Sequence, residues 1–221
     1  LIGGATAGQR LLARAAERRL PIVITYGCTE TCSHVAATPY ELRFEAARLG
    51  AGRPLAGVQL RIDAGRIEVR GPMRMAGYAG EAPLATDAWF DTGDLGEIDA
   101  DGFLHVLGRA DDLIVTGGEK VYPAEVERVL EACPGVRAAA VFGVPDETWG
   151  QCVAAALVVD ESFAGEQALA GFVAERLAPH KRPRRIRIVE RLPQTAAGKP
   201  DRAALLRLAQ SPRPLAAEHG G

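Results

Sequence analysis

The 221 residues are 48% hydrophobic and 24% charged with a formal net charge of −2, an ordinary balance for a soluble globular chain of one large or two small domains. No apolar run approaches the roughly 18 residues of a membrane-spanning helix. The opening LIGGATAGQRLLARAAE has neither the basic lead-in nor the unbroken apolar stretch of a secretory signal. The charge is uneven: Arg176 to Arg213 holds eleven Lys/Arg against two Asp/Glu, +9, so the remainder carries −11. That basic stretch has no aromatic residue and so lacks the stacking platform of a nucleic-acid binder. A polyanionic small ligand, or a plain solvated face, fits it better.

In chain order, residues 1–4 read as a strand end entering a Gly-rich loop. The start in mid-strand, without Met, carries the expectation that an upstream part is missing. Residues 5–19 have helical spacing, with Leu11, Leu12, Ala15 and Ala16 expected on one face. The β-branched run PIVITYG predicts a strand stopping at Gly27. Strand, helix and strand in that order imply the end of an α/β sheet, with ligands at the carboxyl ends of its strands. Between residues 52 and 107, two strand pairs turn at Asp63-Ala64-Gly65 and at Asp101-Gly102, a small antiparallel unit of sandwich or barrel type. After Asp111, LIVTG and KVYP flank a Gly117-Gly118 turn, and Pro123 opens a helix through Val126, Val129 and Leu130. Strands VRAAAVFGVP and CVAAALVVD, a helix near residues 166–177, the strand RIRIVE and a helix after Lys199 complete an α+β domain of about 100 residues, enough to bury its own core. Residues 211–221 have the composition of a disordered tail. The expected fold class is α/β plus α+β, with one domain ending at residue 110, a second over 111–210, and the tail.

Four segments between these elements concentrate Gly with hydroxyl or charged side chains: YGCTET (26–31), WFDTGDLG (89–96), GRADDLIVTGGEKVYPAEVE (108–127) and PQTAAGKPDR (193–202). Loops of that kind carry function on a rigid scaffold. In the first, Thr29 and Thr31 offer hydroxyls, Glu30 offers a hard carboxylate suited to Mg²⁺, and Gly27 allows close backbone approach. Alone, the segment reads equally as a capped loop. Asp94 can accept two hydroxyl protons from a sugar diol, with Arg109 donating nearby; alone, it reads as a turn Asp capping its neighbours. Lys199 sits on a Gly-bounded segment as a mobile ammonium able to meet both carboxylate and phosphate oxygens, where the plain reading is a surface Lys before a helix. Cys28, Cys32, Cys133 and Cys152 are too scattered for a disulfide framework. Cys28, Cys32 and His34 lack the second ligand pair of a zinc site.

Taken together, the order and spacing of the four segments resemble the adenylate-forming superfamily, the acyl- and aryl-CoA ligases that activate a carboxylate with ATP. The resemblance runs to about Leu208 and implies the C-terminal part of such an enzyme, beginning inside the nucleotide-binding domain. It implies ATP, Mg²⁺ and coenzyme A as ligands and a small carboxylic acid as substrate. It also implies no nucleic-acid or membrane partner, a cytoplasmic location and, by default, a homodimer. By the same resemblance, Gly4 and Ala5 border the adenine and acyl pocket, Tyr26 packs on adenine, Gly27 lies beside it, Thr29 touches the α-phosphate, and Glu30 helps hold Mg²⁺. Asp94 and Arg109 take the ribose, Asp111 is the hinge of a swinging C-terminal domain, and Lys199 serves adenylation. Gly117 and Gly118 line the pantetheine arm, while Trp149, Arg182 and Arg184 hold the nucleotide end of CoA. Relatives carry an aromatic where His180 stands, so stacking there is not implied. GGA near the start, YGCTETCS, RGPMRMAGY and TGGEKVYPAEVE are most similar to the branch acting on o-succinylbenzoate in menaquinone biosynthesis, with chlorobenzoate-type and fatty-acyl ligases, or a non-catalytic remnant, as alternatives. The superfamily's Ser/Thr/Gly-rich phosphate loop does not occur in these residues, so the isolated chain is expected to turn over little.

Overall fold

The computed structural model describes residues 1–4, 8–46, 48–195 and 200–210. The chain divides into two compact units, Leu1–Asp111 and Asp112–Gly221.

In the first unit, Ile2 pairs in parallel with Ile24 across helix α1 (Gln9–Glu17). The α/β sheet read from the sequence is represented by this one parallel bridge among the described residues. Among its described side chains, helix α1 buries Leu12 and Ala15, while Leu11 is 54% exposed and Ala16 is exposed too. Adjacent residues lie 100° apart around a helix, so a narrow contact stripe takes positions i and i+3 and leaves their neighbours outside. Strand β1 is shorter than the sequence suggested, Thr25–Cys28. It pairs antiparallel with β2 (Ser33–Ala37), which pairs with the short β3 (Arg53–Pro54). A single 3₁₀ turn, Thr29–Thr31, joins β1 to β2 and ends at Cys32 in the left-handed region, φ +53°. Gly27 is required here, because a Cβ would fall 1.9 Å from the Ser33 carbonyl oxygen.

Strands β4 (Gln59–Asp63), β5 (Arg66–Arg70), β6 (Phe90–Ile98) and β7 (Leu104–Arg109) form an antiparallel meander in chain order. The first hairpin turns on Ala64 and Gly65 with φ +47° and +84°, the positive-φ pair of a tight hairpin. Period-two burial puts Ile67 and Val69 inside with Val35, Ala36, Ala51 and Leu104.

In the second unit, β8 (Ile114–Thr116) and β9 (Glu119–Val121) form a hairpin around Gly117-Gly118. Helix α2 (Pro123–Ala132) follows with Pro at its first position and Val126 and Leu130 buried. Strands β10 (Val136–Asp146) and β11 (Gly150–Val159), helix α3 (Glu166–Ala174), strand β12 (Arg185–Ile188) and helix α4 (Arg202–Gln210) complete it. The sheet runs β10-β11-β8-β9, and β12 pairs with β11 in parallel. Both faces are covered. Val141, Val153, Ala155 and Leu157 meet α2 and α3 residues on one side, while Phe142, Cys152, Ala154 and Ala156 meet Leu205 of α4 on the other. This is why β10 and β11 read as continuous apolar runs instead of alternating ones.

Two α2 carboxylates cap amides of β10: Glu127 accepts from Val141 N at 2.8 Å and Glu131 from Ala139 N at 3.4 Å. Burial pushes the Glu127 carboxyl up to about 7 from its ordinary 4.5; the Val141 amide and Arg202 oppose the push, while Glu131 and Asp112 add to it. The folded state therefore binds this proton more tightly. Its contribution is full below pH 4.5 and is lost as the pH rises through about 7. Urea denaturation across that window is expected to show Glu127→Gln gaining on the wild type as the pH rises; a constant gap would mean the carboxyl titrates normally.

Candidate active site

The densest cluster of site residues in the first unit is built where β1 meets the β6–β7 pair. The Tyr26 phenol donates to Asp94 Oδ2 at 2.7 Å and lies 2.9 Å from Thr92 Oγ1. Burial, reinforced by the Asp94 charge, holds that phenol above its ordinary pKa, so it stays a neutral donor. Asp94 and Arg109 are register partners across β6 and β7, and the Arg109 guanidinium donates to Asp94 Oδ1 at 3.2 Å and to the Thr92 carbonyl at 2.9 Å. Gly93 makes room for it: φ there is +75°, and a Cβ would fall 2.7 Å from the guanidinium. Asp94 keeps 14% of its side chain exposed, and a carboxylate with one donor on each oxygen retains lone pairs for further hydroxyls.

Thr92 is the node that the sequence reading missed. It is 7% exposed, donates its hydroxyl to the Ile67 carbonyl at 2.9 Å and accepts from the Asp94 amide at 3.2 Å. Its place in D-T-G-D was visible in the sequence, but the inward side of β6 was not.

The turn after β1 separates the two threonines that looked equivalent in sequence. Thr31 is 1% exposed; its Oγ1 accepts from Cys28 N at 3.0 Å and lies 3.0 and 2.9 Å from the Cys28 and Ser33 carbonyls. It plugs the turn, whereas Thr29 faces solvent. Glu30 is half-buried, and its Oε1 accepts from the Tyr78 phenol at 3.3 Å. Its own backbone amide holds the carboxyl below the ordinary value, with Cys28, Tyr78 and the Arg109 charge adding. It is therefore ionised and offers the hard oxygen that Mg²⁺ requires. Among the described residues no group of three or more His, Cys, Asp or Glu is gathered as a metal cluster. Gly4 is exposed with φ +80°; Ala5 lies outside the described residues.

The second unit brings Gly117, Gly118, Trp149 and Arg184 together at its surface. The Gly117 amide donates to the Trp149 carbonyl at 3.0 Å, and a Cβ on Gly117 would fall 2.7 Å from the indole ring. The Arg184 guanidinium lies 4.9 Å from the indole centroid. Trp149 is 42% exposed and is not a core residue. Arg182 has partners within the fold. Its guanidinium donates to the Leu177 and Ala174 carbonyls at 2.9 Å each, capping the end of α3, where a cation is favoured by the unsatisfied carbonyls. Next to it, Lys181 pairs with Glu125 at 2.6 Å. Asp111 lies in a 3₁₀ turn, Ala110–Asp112. Lys199 lies outside the described residues.

Thr92→Val keeps the shape but orphans the Ile67 carbonyl and removes an oxygen from the Tyr26–Asp94 cluster. Loss of about 1–3 kcal/mol in urea unfolding is expected, and a neutral result would show that Thr92 is not the node described.

Comparison with known proteins adds to this geometry. Residues 125–199 match the family model for the AMP-binding enzyme C-terminal domain. The chain is 44% identical over 214 residues to 2-succinylbenzoate–CoA ligase of Bacillus licheniformis, covering 90% of this chain and 44% of that protein. Its fold matches o-succinylbenzoate CoA synthetase from Bacillus subtilis in complex with the acyl-adenylate intermediate, at TM-score 0.82 and 36% identity, over 96% of this chain and 45% of that one. The same enzyme in complex with ATP and magnesium ion matches at TM-score 0.80 and 35% identity, over 95% and 45%. The chain thus spans a little under half the length of the relatives it matches. It is similar to adenylate-forming, AMP-binding enzymes, with residues 125–199 matching the C-terminal domain of such enzymes.

Proposed function

We propose that the parent protein is an ATP-dependent carboxylate–CoA ligase acting on o-succinylbenzoate. The acid's oxygen attacks the α-phosphorus of ATP, expelling pyrophosphate and leaving an acyl-adenylate. The CoA thiol, giving up its proton, then attacks the acyl carbonyl and expels AMP. The observation that carries this reading is the Tyr26–Asp94–Arg109 cluster with the ionised Glu30 one turn away. A neutral ring, a carboxylate with spare lone pairs and a hard anionic oxygen match an adenine, a ribose diol and a phosphate-bound Mg²⁺. Support for the substrate comes from the succinylbenzoate ligases at 44% identity and in the acyl-adenylate complex.

In this reading Thr29, the outward threonine of the turn, meets the α-phosphate. Lys199 brings an ammonium to the carboxylate and to the charge developing on phosphorus. Gly4 and Ala5 border the adenine and acyl pocket, and Gly27 keeps the β1 backbone close to its neighbour strand beside them. Gly117 and Gly118 leave bare backbone beside the pantetheine arm, and Trp149 with Arg184 faces the CoA nucleotide. Arg182 supports that surface through α3. Asp111 is the hinge at which one domain exchanges its two faces, because adenylation needs a cation where thioester formation needs a passage for the thiol. No helix among the described residues is long and apolar enough to cross a membrane, and we place the reaction in the cytoplasm, where ATP and CoA are available.

Pyrophosphate exchange by the parent protein across a panel of aromatic and aliphatic acids is expected to be fastest with o-succinylbenzoate. No exchange with any acid would contradict the reading. Lys199→Ala is expected to slow exchange roughly a hundredfold or more while sparing thioester formation from supplied acyl-adenylate; equal loss of both steps would remove Lys199 from the role given to it.

A further inference from the structure

Helix α4 begins at Arg202, three residues after Lys199, and its start is held at several points. Gln194 and Pro200 form an antiparallel bridge, and the Asp201 amide donates to the Pro193 carbonyl at 3.0 Å. These two links close the base of the segment that carries Lys199. Asp201 also caps α4, accepting from Ala204 N through Oδ1 at 3.0 Å and from Leu205 N through its carbonyl at 3.0 Å. Leu205 is 1% exposed and packs against Phe142 and its neighbours. Capping and core packing therefore hold α4 on the sheet. A further contact is not needed for that purpose, yet one is present: the Arg202 guanidinium pairs with Asp112, the first residue of the second unit. The side chains are 38% and 24% exposed. The Glu127 carboxyl, reaching from α2, feels the charges of both members of the pair.

We propose that the Asp112–Arg202 ion pair is a strut that fixes the base of the Lys199 segment to the residue directly after Asp111. This rests on the functional reading above, in which Asp111 is the hinge and Lys199 serves adenylation. A hinge moves its cargo faithfully only if the chain beyond it is rigid at once. Without the pair, a rotation at Asp111 is partly absorbed by Asp112 and Leu113 before the sheet begins at Ile114. With the pair, the turn at residue 112 and the start of α4 move as one body. Arg202 and Asp112 are positioning residues and touch no substrate.

Hydrogen exchange on the 221-residue chain tests the strut without reference to activity. Asp112→Asn and Arg202→Gln are expected to speed exchange of the Asp201, Ala204 and Leu205 amides about fivefold or more, leaving β10 and β11 unchanged. The reciprocal pair Asp112→Arg with Arg202→Asp is expected to restore protection. Unchanged protection in both single variants, or uniform loss across the sheet, would overturn the strut. In the parent protein, each single variant is expected to slow pyrophosphate exchange about tenfold, because a displaced ammonium loses its alignment. Thioester formation from supplied acyl-adenylate is expected to stay near the wild-type rate, and the reciprocal pair to recover exchange. Equal loss of both half-reactions would leave only a structural role and overturn the coupling. A wild-type parent with no exchange would sink the functional reading and the coupling with it, while the amide data would still decide whether the strut exists.

Discussion

Asp94 is the residue on which the cluster between β1 and the β6–β7 pair depends. Its carboxylate is 14% exposed and receives the Tyr26 phenol on one oxygen and the Arg109 guanidinium on the other. A carboxylate withdrawn that far from water must be compensated by donors, and the two donors come from different sheets: Tyr26 from β1, Arg109 from β7. Thr92 locks the arrangement from beneath by joining the same phenol to the backbone of β5. Three segments far apart in sequence are thereby drawn to one place, and the turn bearing Thr29 and Glu30 follows immediately after β1.

The second unit solves a different problem. Its central strands are covered on both faces by helices, so groups open to solvent are left to the hairpin tips, the turns and the strand ends. The Gly117-Gly118 hairpin, the Trp149 turn and Arg184 before β12 occupy such positions. Arg182 and Lys181, in the same basic stretch, serve the fold: one caps α3 and the other pairs with α2. A run of positive charge in sequence is thus divided by the backbone into groups that hold the domain and groups that face outward.

Much of the fold was legible. The hairpins at Ala64-Gly65 and Gly117-Gly118, the Pro123 helix start and the order of elements in the second unit follow from turn chemistry and apolar periodicity, which are local properties. The pairing of Asp94 with Arg109 was legible, and the structure shows the two in contact, with the Tyr26 phenol donating to the same carboxylate. What failed to show in sequence was everything that depends on which neighbour packs where. Thr29 and Thr31 look alike until the turn buries one. The close protein neighbours of Gly27 and Gly117, the Ser33 backbone and the Trp149 ring, have no sequence signature either. Leu11 fits the helical pattern but lies beside the narrow stripe that α1 buries. Thr92 and Tyr78 lay inside quoted motifs without a role of their own, because a hydroxyl in a strand or a loop has no sequence signature of its partner.

The central claim is that the Tyr26–Asp94–Arg109 face holds a nucleotide through the Asp94 carboxylate. Titration calorimetry of ATP with the parent protein, wild type against Asp94→Asn, addresses it most directly, because the amide preserves shape while removing the charge and turning one acceptor oxygen into a donor. Affinity is expected to fall roughly tenfold or more, the scale of a lost charged hydrogen bond. Equal affinity in the two proteins would contradict the account.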